Sequence, residues 1–137
     1  MLRDTFAEAG NMTQSTTARQ RVLVVDDEKD ICEAIEMLLT LDGFEVVTAS
    51  NGVEALNLYG TAKFDLVITD YSMPAMKGDA LASAIKFKNP AQPIIMVTAY
   101  VEQLTQTETP LPGIDALLSK PFKLEQLRST VAEVLRR

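Results

Sequence analysis

Short apolar runs recur along this chain with amphipathic stretches between them, and that alternation restricts the fold more than any other feature. Val22–Val25, Phe44–Ala49, Leu66–Thr69, Ile94–Val97 and Ala116–Leu118 are compact, largely β-branched or aliphatic runs that predict strands. Ile31, Ile35, Leu38 and Leu39 follow the first run at helical spacing, and Asp42-Gly43 closes that helix. Ser50-Asn51-Gly52 opens a second helix carrying Val53, Leu56 and Tyr59; Gly78 to about Lys88 is a third, stopped by Asn89-Pro90. Leu124, Leu127, Val131, Val134 and Leu135 mark the last. Runs that are apolar throughout suit strands buried on both faces, and parallel strands need crossover connections. The pattern predicts an α/β fold: a five-stranded parallel sheet with helices on both sides, doubly wound. One unit fits poorly. Val101–Gly113 holds Pro110 and Pro112, which predicts a short or irregular helix ending near Glu108.

Composition narrows the chemistry. The 137 residues suit one domain, and they contain no histidine, which excludes a Ser-His-Asp triad, a Cys-His pair and a histidine-ligated zinc. Cys32 is the only cysteine, so no internal disulfide can form, and a reducing cytoplasm is the expected compartment. Lys and Arg number 13 against 19 Asp and Glu, a net charge of −6 that argues against DNA binding by this chain. No uninterrupted apolar stretch approaches the roughly 20 residues of a membrane span. Residues 1–20, rich in Ser, Thr, Gln and Ala, read as a disordered tail; residues 21–137 read as the folded domain.

Ligands of open α/β sheets bind outside the carboxyl ends of the strands, so the residues there carry the functional signal. The first run ends in Asp26-Asp27-Glu28, the third in Asp70, the fourth in Thr98 and the fifth in Ser119-Lys120-Pro121. Taken singly, each has an ordinary explanation: a helix N-cap, a loop carboxylate, a strand threonine, a surface lysine. Jointly, these explanations fail, because all of these groups sit at strand ends in one order. If the first and third strands are neighbours, three aspartates converge, which is costly unless a cation sits among them. Mg²⁺, a hard ion that accepts carboxylate and carbonyl oxygens and retains water, suits such an open site.

Val24–Glu28 (VVDDE), Thr69–Pro74 (TDYSMP), Val97–Ala99 (VTA) and Lys120–Phe122 (KPF) together resemble the receiver domain of bacterial two-component response regulators, over about residues 21–137. The resemblance implies strand order 2-1-3-4-5, the flavodoxin-like arrangement. It implies that Asp70 is the phosphoacceptor, taking a phosphoryl group from a phosphohistidine on a sensor histidine kinase or histidine phosphotransfer protein. It also implies Mg²⁺ ligation by Asp27 and Asp70 side chains, by the Ser72 backbone carbonyl, and by Asp26 mainly through water. Lys120 would pair with Asp70 and then with a phosphoryl oxygen; Thr98 would donate its hydroxyl to another; and Lys120-Pro121 would be cis. The protein would then be a signalling phosphoacceptor that catalyses only its own phosphorylation and slow dephosphorylation.

Two departures from the family pattern stand out. Leu117 occupies a position that is usually Tyr or Phe, three residues before the lysine; it reads as core filling, with Tyr100 a candidate to shield the phosphoryl group instead. The proline-bearing stretch Thr105–Gly113 alters a surface the family uses for output. Cys32 reads as a small helical residue, and Met73 and Met76 as packing for the Asp70 loop. A haloacid-dehalogenase-type phosphatase would want an acid where Ser72 stands, and no phosphate-binding glycine loop occurs. With no output domain in the sequence, the expected role is binding another protein or passing the phosphoryl group onward. The alternatives are a receiver fragment of a hybrid histidine kinase or a constitutive binding module.

Overall fold

A computed structural model describes residues 19–99 and 113–136. Residues 1–18 of the tail, Tyr100 and all but the last residue of Thr105–Gly113 lie outside the described residues, as does the expected short helix after the fourth strand. Of the tail, the Gln20 carbonyl accepts the Glu45 N–H (2.9 Å) beside β2. Five strands form one parallel sheet: β1 (Arg21–Val25), β2 (Glu45–Ala49), β3 (Leu66–Asp70), β4 (Ile94–Thr98) and β5 (Ala116–Ser119), in spatial order β2-β1-β3-β4-β5. Four helices are described: α1 (Lys29–Leu41), α2 (Gly52–Tyr59), α3 (Gly78–Lys88) and α4 (Leu124–Leu135). The doubly wound, flavodoxin-like arrangement expected from the sequence is what forms.

Strand geometry sends successive side chains to opposite faces, so each apolar run feeds two cores. Val22 and Val24 of β1, Leu66 and Ile68 of β3, and Ile95 and Val97 of β4 pack with Ile35, Leu38 and Leu39 of α1 and Leu127, Val131 and Val134 of α4. Leu23, Val25, Val67 and Ile94 face the other way, against Ala55 of α2 and Leu81, Ala82 and Ile85 of α3. This explains why β1, β3 and β4 have no polar alternation: neither face meets water.

The helix ends follow local chemistry. At the end of α1 the Phe44 N–H donates to the Leu39 carbonyl (2.9 Å) and the Gly43 N–H to that of Thr40 (3.1 Å), a Schellman closure. Gly43 adopts φ 97°, the left-handed conformation that this closure demands of a residue without a Cβ. At the start of α2 the Asn51 side chain accepts the Glu54 N–H (2.8 Å), while the Glu54 carboxylate accepts from the Ser50 N–H (2.8 Å) and hydroxyl (3.0 Å). Those bonds hold the Glu54 carboxyl below its ordinary pKa. Arg128 of α4 grips both carboxylate oxygens of Asp42 (2.8 and 3.1 Å), tying α4 to the end of α1. Among the described residues no helix is long and apolar enough to cross a membrane.

Candidate functional site

Topology alone assembles the acidic cluster. Val25 of β1 lies in register with Thr69 of β3, so the residues that follow, Asp26 and Asp70, emerge side by side. The strand order reverses at this pair, because β2 lies to one side and β4 to the other, and the crevice that opens there is where such sheets bind ligands. Carboxylate oxygens of Asp26, Asp27 and Asp70 come within 4.8 Å of one another. Asp26 and Asp70 are buried, at 3% and 5% exposure, whereas Asp27 is exposed. A cleft of about 330 Å³ lined by Asp26, Asp27, Cys32, Glu33, Glu36 and Glu54 opens beside them.

Lys120 reaches this cluster across β4. Its backbone N–H donates to the Thr98 carbonyl (2.9 Å), anchoring the residue just past β5, and the Lys120–Pro121 peptide is cis, as expected. From there the ammonium contacts Asp26 Oδ2 (3.0 Å), Glu28 Oε1 (3.0 Å) and Asp70 Oδ1 (3.2 Å). Burial pushes the Asp70 carboxyl above its ordinary pKa, the neighbouring Asp26 adds to that, and Lys120 opposes it. Asp26 is likewise raised by burial, against the pull of the Glu28 N–H bonded to Oδ1 (2.8 Å) and of Lys120. For Lys120, burial works against the charge, but the bonds to Glu28 and Asp26 outweigh it and raise the pKa. Among the described residues one cation thus faces a surplus of carboxylates, and the uncompensated negative charge is what a divalent ion would relieve. The hard oxygen donors of Asp26, Asp27 and Asp70 fit Mg²⁺.

The remaining expected residues fall around this centre. Thr98 ends β4 next to Asp70, with Asp70 in register with Val97, and it is 1% exposed. Ser72 sits two residues past Asp70 in the turn leading to α3, exposed. That turn is held by the Tyr71 N–H donating to the Val97 carbonyl (3.0 Å) and the Gly78 N–H to the Tyr71 carbonyl (2.9 Å). Met73 is buried in the α2–α3 core, with Met76 packed against it, the packing role the sequence suggests. Cys32 is buried, and burial raises its thiol pKa to about 11, consistent with a helical core residue. Leu117 is only half-buried, beside Met96 in the β4–β5 register, so it fills the core less fully than expected.

Two contributors escaped the sequence reading. Glu28 was legible only as the third acid of a run, and nothing in its spacing signals a bond to a lysine 92 positions away. Gly78 was legible as a helix start; in the structure a Cβ there would lie 2.3 Å from the Asp70 carbonyl oxygen.

Known proteins place this arrangement. The family pattern described as response regulator receiver domain matches residues 22–132. The transcriptional regulatory protein YrkP of Bacillus subtilis is 40% identical over 117 residues, which are 85% of this chain and 50% of that protein. The chain spans about half the length of the first curated relatives it matches. The chemotaxis response regulator CheY4 of Vibrio cholerae superposes with a TM-score of 0.79 at 34% identity, covering 85% of this chain and 99% of that one. The response regulator TrrA of Thermotoga maritima, solved in complex with Mg(2+)-BeF, gives 0.76 at 35% identity, covering 84% and 98%. The chain belongs to the response regulator receiver domains of two-component systems, a family of signalling proteins.

Proposed function

We propose that this chain takes a phosphoryl group onto Asp70 from a phosphohistidine of a sensor histidine kinase or histidine phosphotransfer protein, and then signals through protein contacts or passes the group onward. The observation that carries the reading is the Asp70 carboxylate itself: buried, crowded by Asp26 and Asp27, and held 3.2 Å from the Lys120 ammonium. In the transfer an Asp70 oxygen bonds to phosphorus, the P–N bond breaks, and its electron pair returns to the imidazole nitrogen. These 137 residues hold no histidine, so the donor lies outside them. Residues 21–137 are the receiver unit in this reading, preceded by residues 1–20. Its location is cytoplasmic, supported by the single buried cysteine.

Phosphoryl transfer depends on positioning and charge neutralisation more than on covalent assistance, and each residue has a part in that. Asp26, Asp27 and Asp70 side chains and the Ser72 backbone carbonyl would hold Mg²⁺, Asp26 mainly through water. Bound there, Mg²⁺ supplies the positive charge that lets an anionic carboxylate approach an anionic phosphoryl group. Lys120 pairs with Asp70 beforehand and donates to a phosphoryl oxygen afterwards. Thr98 donates its hydroxyl to a second oxygen. The BeF complex of the Thermotoga relative supports this assignment by likeness.

Incubation with acetyl phosphate and Mg²⁺ is expected to add one phosphoryl group, read by intact mass. Chelating the metal with EDTA is expected to lower the labelling rate at least tenfold. Equal labelling with and without the chelator would contradict the metal's role.

A further inference from the structure

Among the described residues, Glu28 is the one in contact with the Lys120 ammonium that the phosphotransfer reading leaves without a part. A lysine ammonium has three N–H donors and no more. Here three carboxylates stand within reach of them: Asp26 at 3.0 Å, Glu28 at 3.0 Å and Asp70 at 3.2 Å. A phosphoryl oxygen arriving at Asp70 therefore has to displace one of the three. In the metal-free site, releasing Asp26 or Asp70 would leave a carboxylate unpaired at 3% or 5% side-chain exposure, which is costly until Mg²⁺ takes the ammonium's place. The Glu28 side chain is 61% exposed, and releasing it returns a carboxylate to water at little cost. Glu28 is also well placed to act on both sides of the site. It directly precedes α1, and its backbone N–H donates to Asp26 Oδ1 (2.8 Å) while its side chain holds Lys120.

The geometry points to Glu28 as a releasable latch: in the unphosphorylated protein its carboxylate occupies the Lys120 donor that a phosphoryl oxygen takes, and it swings into solvent when that oxygen arrives. Glu28 is a positioning residue in this scheme, acting through Lys120 and not on the phosphoryl group. The inference rests on the phosphotransfer reading and deepens it. The latch makes the unphosphorylated site slower to engage a donor than three carboxylates and a free ammonium proton would be. A charge effect alone would depend on the carboxylate being present, whereas a latch depends on its reach.

Two substitutions separate those possibilities. Glu28→Gln keeps the length and weakens the acceptor; Glu28→Asp keeps the charge but is one methylene too short for the 3.0 Å contact. Labelling by acetyl phosphate at saturating Mg²⁺, followed by intact mass, is expected to be about threefold faster in both variants, the scale of a partly exposed ion pair. In metal-free protein, lysine ¹⁵Nζ–H spectra are expected to show faster exchange of the Lys120 ammonium protons in both variants than in wild type. Acceleration in Glu28→Gln with wild-type rates in Glu28→Asp would overturn the latch in favour of charge alone. Unchanged or slower labelling in both, or unchanged ammonium exchange, would also overturn it. A wild-type protein that takes no phosphoryl group would overturn the phosphotransfer reading, and the latch with it.

Discussion

Replacing Lys120 with alanine is expected to destabilise the metal-free protein by about 3 kcal/mol at neutral pH, the scale of breaking a buried ion pair by removing one partner. The ammonium contacts three carboxylates, two of them buried, and its own side chain is 13% exposed. Removing it leaves Asp26 and Asp70 facing each other without a cation among the described residues. Both carboxyls already sit above their ordinary pKa through burial; losing Lys120 removes what opposes that shift at Asp70, and at Asp26 leaves only the Glu28 N–H to oppose it. The sign of the pH dependence follows. A carboxyl whose pKa is higher folded than unfolded weakens the fold at pH values above the folded pKa. That weakening disappears as pH falls below the unfolded pKa, so the deficit of Lys120→Ala is expected to narrow in acid. Millimolar Mg²⁺ is expected to restore most of the loss at neutral pH, because it stabilises only the folded protein. Urea unfolding of both proteins, with and without Mg²⁺, checks each part. Coincident unfolding curves in metal-free buffer would contradict the electrostatic account of the site.

The second large effect is steric. Gly78→Ala is expected to cost about 2–3 kcal/mol, toward the upper end for overpacking. The added carbon would lie 2.3 Å from the Asp70 carbonyl oxygen and 2.9 Å from Tyr71 Cα, both backbone atoms. Neither can rotate away as a side chain would. The Gly78 N–H is bonded to the Tyr71 carbonyl (2.9 Å), so relief requires the turn after β3 to open. That turn directly follows Asp70, and labelling from a small donor is expected to slow at least tenfold, since small misplacements of reacting groups are expensive. Gly52→Ala provides the comparison. Its nearest contacts would be with the Met76 side chain, Sδ at 2.8 Å, Cβ at 2.9 Å and Cγ at 3.0 Å; Sδ and Cγ can rotate away, whereas Cβ moves only with the Met76 backbone. Its cost is expected to be smaller than that of Gly78→Ala, because its closest approach, 2.8 Å, is to a rotatable sulfur and not 2.3 Å to a backbone oxygen. Equal stability of Gly78→Ala and wild type would show that the close approach does not constrain the turn.

Much of this arrangement is legible in the sequence, for reasons that can be named. Strands buried on both faces must be apolar throughout, so Val22–Val25, Leu66–Thr69 and Ile94–Val97 could be read directly, and α3 runs from Gly78 to Lys88 as its glycine and Asn89-Pro90 indicate. Edges blurred where polar residues continue the backbone pairing: β4 extends to Thr98 and β5 to Ser119. Asp26, Asp70, Thr98 and Lys120 were legible because strand ends of a parallel sheet point the same way, so position in sequence implies position in space. What position cannot convey is reach. The Glu28–Lys120 bond depends on two long side chains meeting from opposite ends of the chain. The approach of Gly78 to Asp70 depends on how the Tyr71–Lys77 turn folds back, including the left-handed Ala75 at φ 71°. Leu117 shows the same limit, since an apolar residue in a strand reads as core, yet it is only half-buried.

The central claim is that Asp70 accepts the phosphoryl group, and intact-mass measurement after incubation with acetyl phosphate and Mg²⁺ tests it most directly. Wild type is predicted to gain one phosphoryl group, lost on treatment with hydroxylamine as an acyl phosphate is, and Asp70→Asn is predicted to gain none. Undiminished labelling of folded Asp70→Asn would contradict the account.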